Sequence, residues 1–177
     1  KTSGTEVKYN LDLTEAQILS DIGRPREALV LIEHLLQTDQ TGPVWYRYGL
    51  LHYQLGALAQ AKEAFENAIE RDSQIPGYHA ALAEVYLQLD DYEEAAEYAL
   101  TSVELVKYFP KGHLLLGQAL EKLGDLENAK VAFEMAAKLK PKEFPQAQQS
   151  IENLEQRIDL GIEYEDKVTN KHYDNQI

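Results

Sequence analysis

A spacing of 34 residues recurs through the middle of this chain and constrains its fold more than any other feature. The recurring positions hold small or bulky apolar residues, which are Gly49, Ala61 and Phe65; then Ala83, Ala95 and Ala99; then Gly117, Ala129 and Phe133. A fixed period of this length is the signature of a repeat protein, in which each unit packs against its neighbours. The period therefore predicts a stack of similar units.

Each copy contains two amphipathic helical stretches separated by a short break. In the copy at 76–109, Leu82, Val85 and Leu89 follow a three-and-four spacing that places one apolar stripe on a helix. The breaks in the neighbouring copies hold Gly56 and Gly124, which tolerate the left-handed backbone that ends many helices. The unit is thus predicted to be a helical hairpin.

Small residues are predicted to face each other where the two helices of a hairpin cross. The pairs are Gly49 with Ala61, Ala83 with Ala95, and Gly117 with Ala129. Helices approach closely only where side chains are small, and bulky neighbours then fill the space beside them. A single hairpin cannot bury its apolar face, so the copies are expected to stack.

These residues resemble tetratricopeptide repeats, whose pattern is Trp, Leu-Gly and Tyr, then Ala, Phe, Ala and Pro. The matching residues are Trp45, Gly49, Ala61, Phe65 and Ala68; Leu82, Ala83, Tyr86, Leu89 and Ala95; and Leu116, Gly117, Ala129, Phe133, Ala136 and Pro141. His79 and His113 depart from the pattern at the Trp position, and Lys107 departs at the Pro position. The resemblance implies an all-α fold, a right-handed superhelical solenoid of antiparallel helix hairpins.

The domain boundaries follow from the period. We predict a polar lead-in at 1–8, four repeats at 9–41, 42–75, 76–109 and 110–143, a capping helix at 144–160, and a linker or tail at 161–177. Asp12 and Glu15 stand where the next copy has Trp45 and Tyr48, so the first repeat is interpreted as an N-terminal cap with a polar outer face. The chain begins without Met, and we interpret it as part of a larger protein.

Composition excludes several functional classes. The chain has 17 basic and 30 acidic residues, a net charge of −13, so phosphate backbones and anionic lipids are expected to repel it. The longest apolar run, 28–32, is too short to cross a membrane. Cysteine is absent, which excludes disulfides and thiolate chemistry. Nucleic acid and membrane insertion are therefore not expected.

The sequence contains no recognisable catalytic or metal-binding constellation. His79 and His113 occupy matching places one repeat apart, and we interpret them as a packing column rather than as ligands of one metal. The acidic run that starts at Asp90 is typical of a solvated helix start, where the helix dipole favours negative charge. No phosphate-binding loop, nucleophile elbow or zinc-protease helix is present. We therefore predict a protein that is not an enzyme and needs no cofactor or metal.

The resemblance implies that the first helices of successive hairpins line a concave groove. The residues predicted to line it are Leu13, Gln17 and Ser20; Tyr46, Arg47, Leu50, Tyr53 and Gln54; Ala80, Glu84, Leu87 and Gln88; and Leu114, Gln118, Glu121 and Lys122. Several are large and apolar, which is typical of a binding surface. Alanine at position 80 is expected to leave room for a bulky side chain of a ligand.

Some members of this family are chaperone adaptors that hold a C-terminal carboxylate with Lys and Asn residues of this groove. The matching places here hold Leu13, Gln17, Arg47, Lys111 and Leu115, of which two are cationic and none is Asn. The sequence therefore predicts an extended or helical peptide with apolar anchors as the partner, instead of an acidic tail.

Three functions remain open from the sequence. The first is a non-enzymatic protein–protein interaction module that binds a partner segment in the groove. The second is a repeat segment of a larger enzyme of transferase or phosphodiesterase type. The third is self-association through the tail or the groove, which would make a homo-oligomer.

Overall fold

A computed structural model of the protein describes residues 3–159, and within them the regular secondary structure is all α-helix, with no strand. The helices are α1 (Ser3–Asp21), α2 (Pro25–Leu36), α3 (Gly42–Gln54), α4 (Leu58–Arg71), α5 (Pro76–Gln88), α6 (Tyr92–Leu105), α7 (Pro110–Lys122), α8 (Leu126–Leu139) and α9 (Pro145–Asp159). The predicted all-α fold is confirmed.

Proline and glycine set the helix boundaries. Helices α5, α7 and α9 begin at Pro76, Pro110 and Pro145, where the missing N–H would have no helical partner in any case. Three of the four helix-to-helix turns within a hairpin contain a glycine with positive φ: 79° at Gly23, 75° at Gly56 and 83° at Gly124. Only Asp90 holds this conformation without being glycine, with φ of 61°, among the described residues. The backbone thus turns in the same way in every hairpin.

The hairpins are α1–α2, α3–α4, α5–α6 and α7–α8, and they stack in chain order into a solenoid. Each second helix packs against the first helix of the next hairpin, and α9 packs against α8 in the same way. The small residues predicted at the crossings, Ala61, Ala95 and Ala129, are all fully buried. Their burial confirms that the hairpins are built around close helix crossings.

Glycine within the first helices makes room for an aromatic ring of the same hairpin. A Cβ placed on Gly49 would lie 2.5 Å from a ring carbon of Phe65, and a Cβ on Gly117 would lie 2.8 Å from the Phe133 ring. Both rings are buried. The two residues of each pair are therefore matched in size across the crossing.

The two ends of the solenoid differ. Helix α1 begins at Ser3, so it already includes most of the segment that we expected to be a polar lead-in before residue 9. Helix α9 buries Ala147, Ile151 and Leu154 in a cluster shared with Phe133 of α8. The linker or tail predicted at 161–177 lies outside the described residues. None of the described helices is long and apolar enough to span a bilayer.

Candidate functional site

The apolar residues predicted for the groove lie partly in the core and partly in solvent. Tyr46, Leu50, Tyr53 and Leu87 are half-buried, and each packs against the central cluster that contains Phe65. Leu13 packs in the same manner against the cluster around Ile32. These side chains therefore offer one surface to solvent while the rest of each chain is held in place by the core.

The prediction that Ala80 and Leu114 line the groove is wrong, because both side chains are buried. Ala80 is 1% exposed and belongs to a cluster with Leu115 of α7, the first helix of the next hairpin. Residues of this chain therefore fill the space that we expected a ligand to use. Leu114 is 6% exposed and packs in the cluster of Phe133 and Ile151. Both contacts depend on how closely neighbouring helices approach, which repeat spacing does not determine.

Polar residues of the groove pair across neighbouring first helices at its N-terminal end. The guanidinium of Arg47 on α3 donates a hydrogen bond to the side-chain oxygen of Gln17 on α1. The hydroxyl of Ser20 donates to the side-chain oxygen of Gln54 at 2.8 Å. These bonds join the first two hairpins along the concave face.

Toward the C-terminal end of the groove, ion pairs link neighbouring helices in the same way. The ammonium of Lys111 on α7 lies 2.6 Å from the carboxylate of Glu84 on α5, and the side chains of both are partly exposed. The guanidinium of Arg157 on α9 lies 2.7 Å from the carboxylate of Glu121 on α7. The two cations at the positions of the family's carboxylate clamp, Arg47 and Lys111, are thus both engaged by groups of this chain.

The junction between α3 and α5 is aromatic. The ring of Tyr46 lies 4.9 Å from that of Tyr78 and 5.7 Å from that of Phe65, measured between centroids. Burial raises the pKa of the Tyr46 hydroxyl, although the nearby Lys111 and Arg47 charges act to lower it. Burial and the Glu84 carboxylate also raise the pKa of Tyr53. Both tyrosines are therefore neutral hydroxyls at physiological pH.

A cleft of about 490 Å³ opens where α5, α7 and α9 meet. Five predicted groove residues line it, Leu87, Gln88, Gln118, Glu121 and Lys122, together with Asp90, Tyr92 and Ser150. The last three were not predicted to line a site. Asp90 could have been singled out, because it replaces the glycine found at the same turn of the other hairpins, and its carboxylate accepts a hydrogen bond of 2.5 Å from the Tyr92 hydroxyl.

The histidines of the repeat column contact the preceding linker. Nε2 of His79 lies 2.9 Å from the carbonyl oxygen of Ser73, and Nε2 of His113 lies 2.8 Å from that of Lys107. Each histidine thus ties its helix to the chain six residues upstream, a role that the sequence did not reveal. Within residues 3–159, no three His, Asp or Glu side chains are grouped so that they could hold a metal ion.

The sequence comparisons agree with this geometry. Two sequence models of the tetratricopeptide repeat match the chain, one at residues 46–106 and one at residues 110–143, which together span more than half of it. The chain belongs to the tetratricopeptide repeat (TPR) family. Members of this family are generally non-enzymatic interaction modules. No curated protein sequence gives a significant match.

Solved TPR structures share the fold. MamA of Desulfovibrio magneticus RS-1 aligns with a TM-score of 0.75 and 22% identity, over 86% of each chain. A thermophilic TPR protein of Thermus thermophilus aligns with a TM-score of 0.71 and 21% identity, over 86% of this chain and 83% of that one. The first TPR of Spaghetti (RPAP3), solved with the HSP90 peptide SRMEEVD, aligns with a TM-score of 0.64 and 22% identity, over 67% of this chain and 93% of that one. At these identities the similarity concerns the fold alone.

Proposed function

We propose that this TPR protein binds a segment of a partner protein in its concave groove. The observation that carries the proposal is the half-exposed state of Leu50, Tyr53 and Leu87, on a face where Glu84 and Glu121 each form an ion pair. Apolar side chains that stay in contact with solvent between paired charges mark a surface where a ligand can gain free energy by covering them.

The partner segment is expected to carry apolar anchors. Lys111 is paired with Glu84 and Arg47 with Gln17, so an acidic tail would have to break these contacts to be held by either cation. Breaking a partly buried pair leaves a charge without its partner, which costs free energy. The TPR of Spaghetti was solved with the acidic HSP90 peptide, and that peptide therefore serves here as a negative control.

Tyrosine suits this role because it offers contact area and a hydroxyl with few rotatable bonds. Tyr53 lies beside Glu84, and the cleft bordered by Leu87 continues the same surface toward α9. A segment lying along the groove would thus cover Tyr53 first and place its next anchor at the cleft. Extended and helical segments can both be bound through apolar anchors of this kind.

The test compares a groove variant with a matched variant outside it. Leu50→Glu combined with Tyr53→Ala is expected to abolish capture of the partner from a lysate of the source organism, while far-ultraviolet circular dichroism stays unchanged. The control, Val131→Glu combined with Tyr108→Ala, alters an exposed aliphatic and an exposed tyrosine outside the groove and is expected to retain capture.

The captured segment is then measured as a synthetic peptide against both variants and against SRMEEVD. Equal capture by the two variants would refute the groove as the binding surface. Tighter binding of SRMEEVD than of the captured segment would refute the preference for apolar anchors.

A further inference from the structure

The outer face of α1 exposes an isoleucine at a position that every later repeat buries. The first repeat is 33 residues long and the others 34, so Ile18 corresponds to Leu51, Val85 and Ala119. Those three are 1%, 0% and 0% exposed, whereas Ile18 is 54% exposed. Within residues 3–159, only the first hairpin lacks an element that covers this position. Its outer face is therefore partly apolar, although we predicted a polar one for an N-terminal cap.

The later repeats show what kind of element covers this position. Leu51 lies in a cluster with Ile32 and Leu35 of α2, and Val85 lies in one with Phe65 of α4. Ala119 shares the same cluster with Ala95 of α6. In each case the cover is the amphipathic second helix of the preceding hairpin, packed against the first helix of the next.

The surroundings of Ile18 on α1 give the face its chemistry. Its neighbours at three and four residues are Thr14, Glu15, Asp21 and Ile22, which lie on the same side of a helix. Ile22 is 59% exposed, more than its counterparts Leu55, Leu89 and Leu123 at 36–40%. Glu15 and Asp21 are exposed, so two carboxylates flank the two isoleucines. One carboxylate oxygen of Asp21 accepts a hydrogen bond of 2.5 Å from the side-chain amide of Gln17.

We propose that this face, which we call the α1 face, docks a basic amphipathic helix of a partner protein. An apolar stripe on that helix would cover Ile18 and Ile22 as the preceding second helix covers Leu51, and lysine or arginine beside the stripe would meet Glu15 and Asp21. A second copy of this chain fits less well, because pairing two α1 faces would bring like carboxylates together in a protein of net charge −13.

The probes are two synthetic helices of about 20 residues, a length at which an isolated helix is stable enough to form. Both carry leucine along one face; the other positions are lysine in one peptide and glutamate in the other. Binding to the whole protein is measured by fluorescence anisotropy at an ionic strength of about 0.15 M, where exposed charges farther apart than about 8 Å are largely screened.

We expect the lysine peptide to bind and the glutamate peptide not to bind. Ile18→Gln combined with Ile22→Gln is expected to reduce the affinity for the lysine peptide at least tenfold. The control Val30→Gln combined with Val131→Gln removes similarly exposed aliphatic groups elsewhere and leaves binding unchanged. The groove variant Leu50→Glu with Tyr53→Ala also leaves it unchanged, which keeps this site distinct from the groove.

Equal affinity of the wild type and the Ile18→Gln, Ile22→Gln variant would overturn the proposal, because it would mean that the peptide adsorbs to the acidic surface in general. Glu15→Gln combined with Asp21→Asn separates the charge contribution and is expected to reduce the advantage of lysine over glutamate. A concentration-dependent dimer in sedimentation that the isoleucine substitutions abolish would also overturn it, in favour of a second copy.

Discussion

The hairpins α3–α4 and α5–α6 are neighbours with the same backbone plan, yet they fill their crossings differently. The first pairs Gly49 with the ring of Phe65, whereas the second has Ala83 and Ala99 at the same two places. In the second hairpin, Leu115 of the next hairpin joins the cluster of these two alanines, with Tyr98 and Phe109 packed against it. The comparison teaches that the volume filled at the crossing is what the fold requires, and that a neighbouring hairpin can supply it.

The comparison extends to the turn and to one buried polar position. The α3–α4 turn has Gly56 with positive φ where the α5–α6 turn has Asp90. Helix α3 buries His52 where α5 buries Tyr86. The Nε2 of His52 has no hydrogen-bond partner among the described residues. Each of these differences can be tested by a single substitution.

The largest effect is expected from Phe65→Ala. Phe65 is 1% exposed and packs in a core cluster with Leu82 and Val85, so its truncation should lower the free energy of unfolding by about 3–5 kcal/mol. Urea denaturation followed by circular dichroism measures it. The control Leu100→Ala, at a residue 46% exposed, should change stability by no more than about 0.5 kcal/mol. A loss below about 1 kcal/mol for Phe65→Ala would show that the crossing does not depend on the ring.

Gly49→Ala should cost about 1–3 kcal/mol, because the new Cβ would lie 2.5 Å from the Phe65 ring. Gly77→Ala is the control, since the nearest atom to its Cβ is the Tyr46 hydroxyl at 4.0 Å; there the helix propensity of alanine should make the change neutral or stabilising by up to about 1 kcal/mol. Combining Gly49→Ala with Phe65→Ala reproduces the alanine pair of α5–α6. The double variant should therefore lose less stability than the two single losses added together.

Substitution of the turn residue should have opposite effects in the two hairpins. Gly56→Ala places a Cβ at φ of 75° and should cost about 1–2 kcal/mol. Asp90→Gly relieves the same backbone conformation and should stabilise the protein by up to about 1 kcal/mol, reduced by the loss of the bond from Tyr92. Thermal unfolding at neutral pH tests both. A loss of stability in Asp90→Gly would mean that the hydrogen bond from Tyr92 contributes more to stability than the relief of backbone strain at position 90.

The smallest effect is expected from pH. Burial lowers the pKa of His52, although Glu33 acts to raise it. The folded state therefore binds fewer protons than the unfolded state, in which histidine titrates near about pH 6.5. The contribution of His52 to the free energy of unfolding should therefore be fully present above about pH 6.5 and should decrease as the pH drops below that value. His52→Tyr, which copies α5, should flatten this part of the stability profile; an unchanged slope would assign it to other groups.

Periodicity predicted the interior of each hairpin because that packing is local. Ala61, Ala95 and Ala129 repeat every 34 residues and face their own partner helix, so their burial follows from one unit alone. The burial of Ala80 by a cluster with Leu115 could not be predicted, since it depends on the distance between α5 and α7.

The ion pairs between groove residues also could not be predicted from the sequence. Lys111 and Glu84 are 27 residues apart, and Arg157 and Glu121 are 36 apart. Neither separation is a fixed feature of the repeat, and both pairs depend on side-chain conformations on adjacent helices. The groove residues were therefore found from their position in the unit, whereas their availability to a ligand had to come from the structure.

The most direct measurement places a photo-crosslinking amino acid, benzoylphenylalanine, at Tyr53 in the groove and, in a separate protein, at the exposed Val131 outside it. Each protein is irradiated in a lysate of the source organism and the adducts are identified by mass spectrometry. Binding in the groove predicts one dominant partner peptide crosslinked at position 53 and absent at position 131. The same adducts in equal yield at both positions would contradict it.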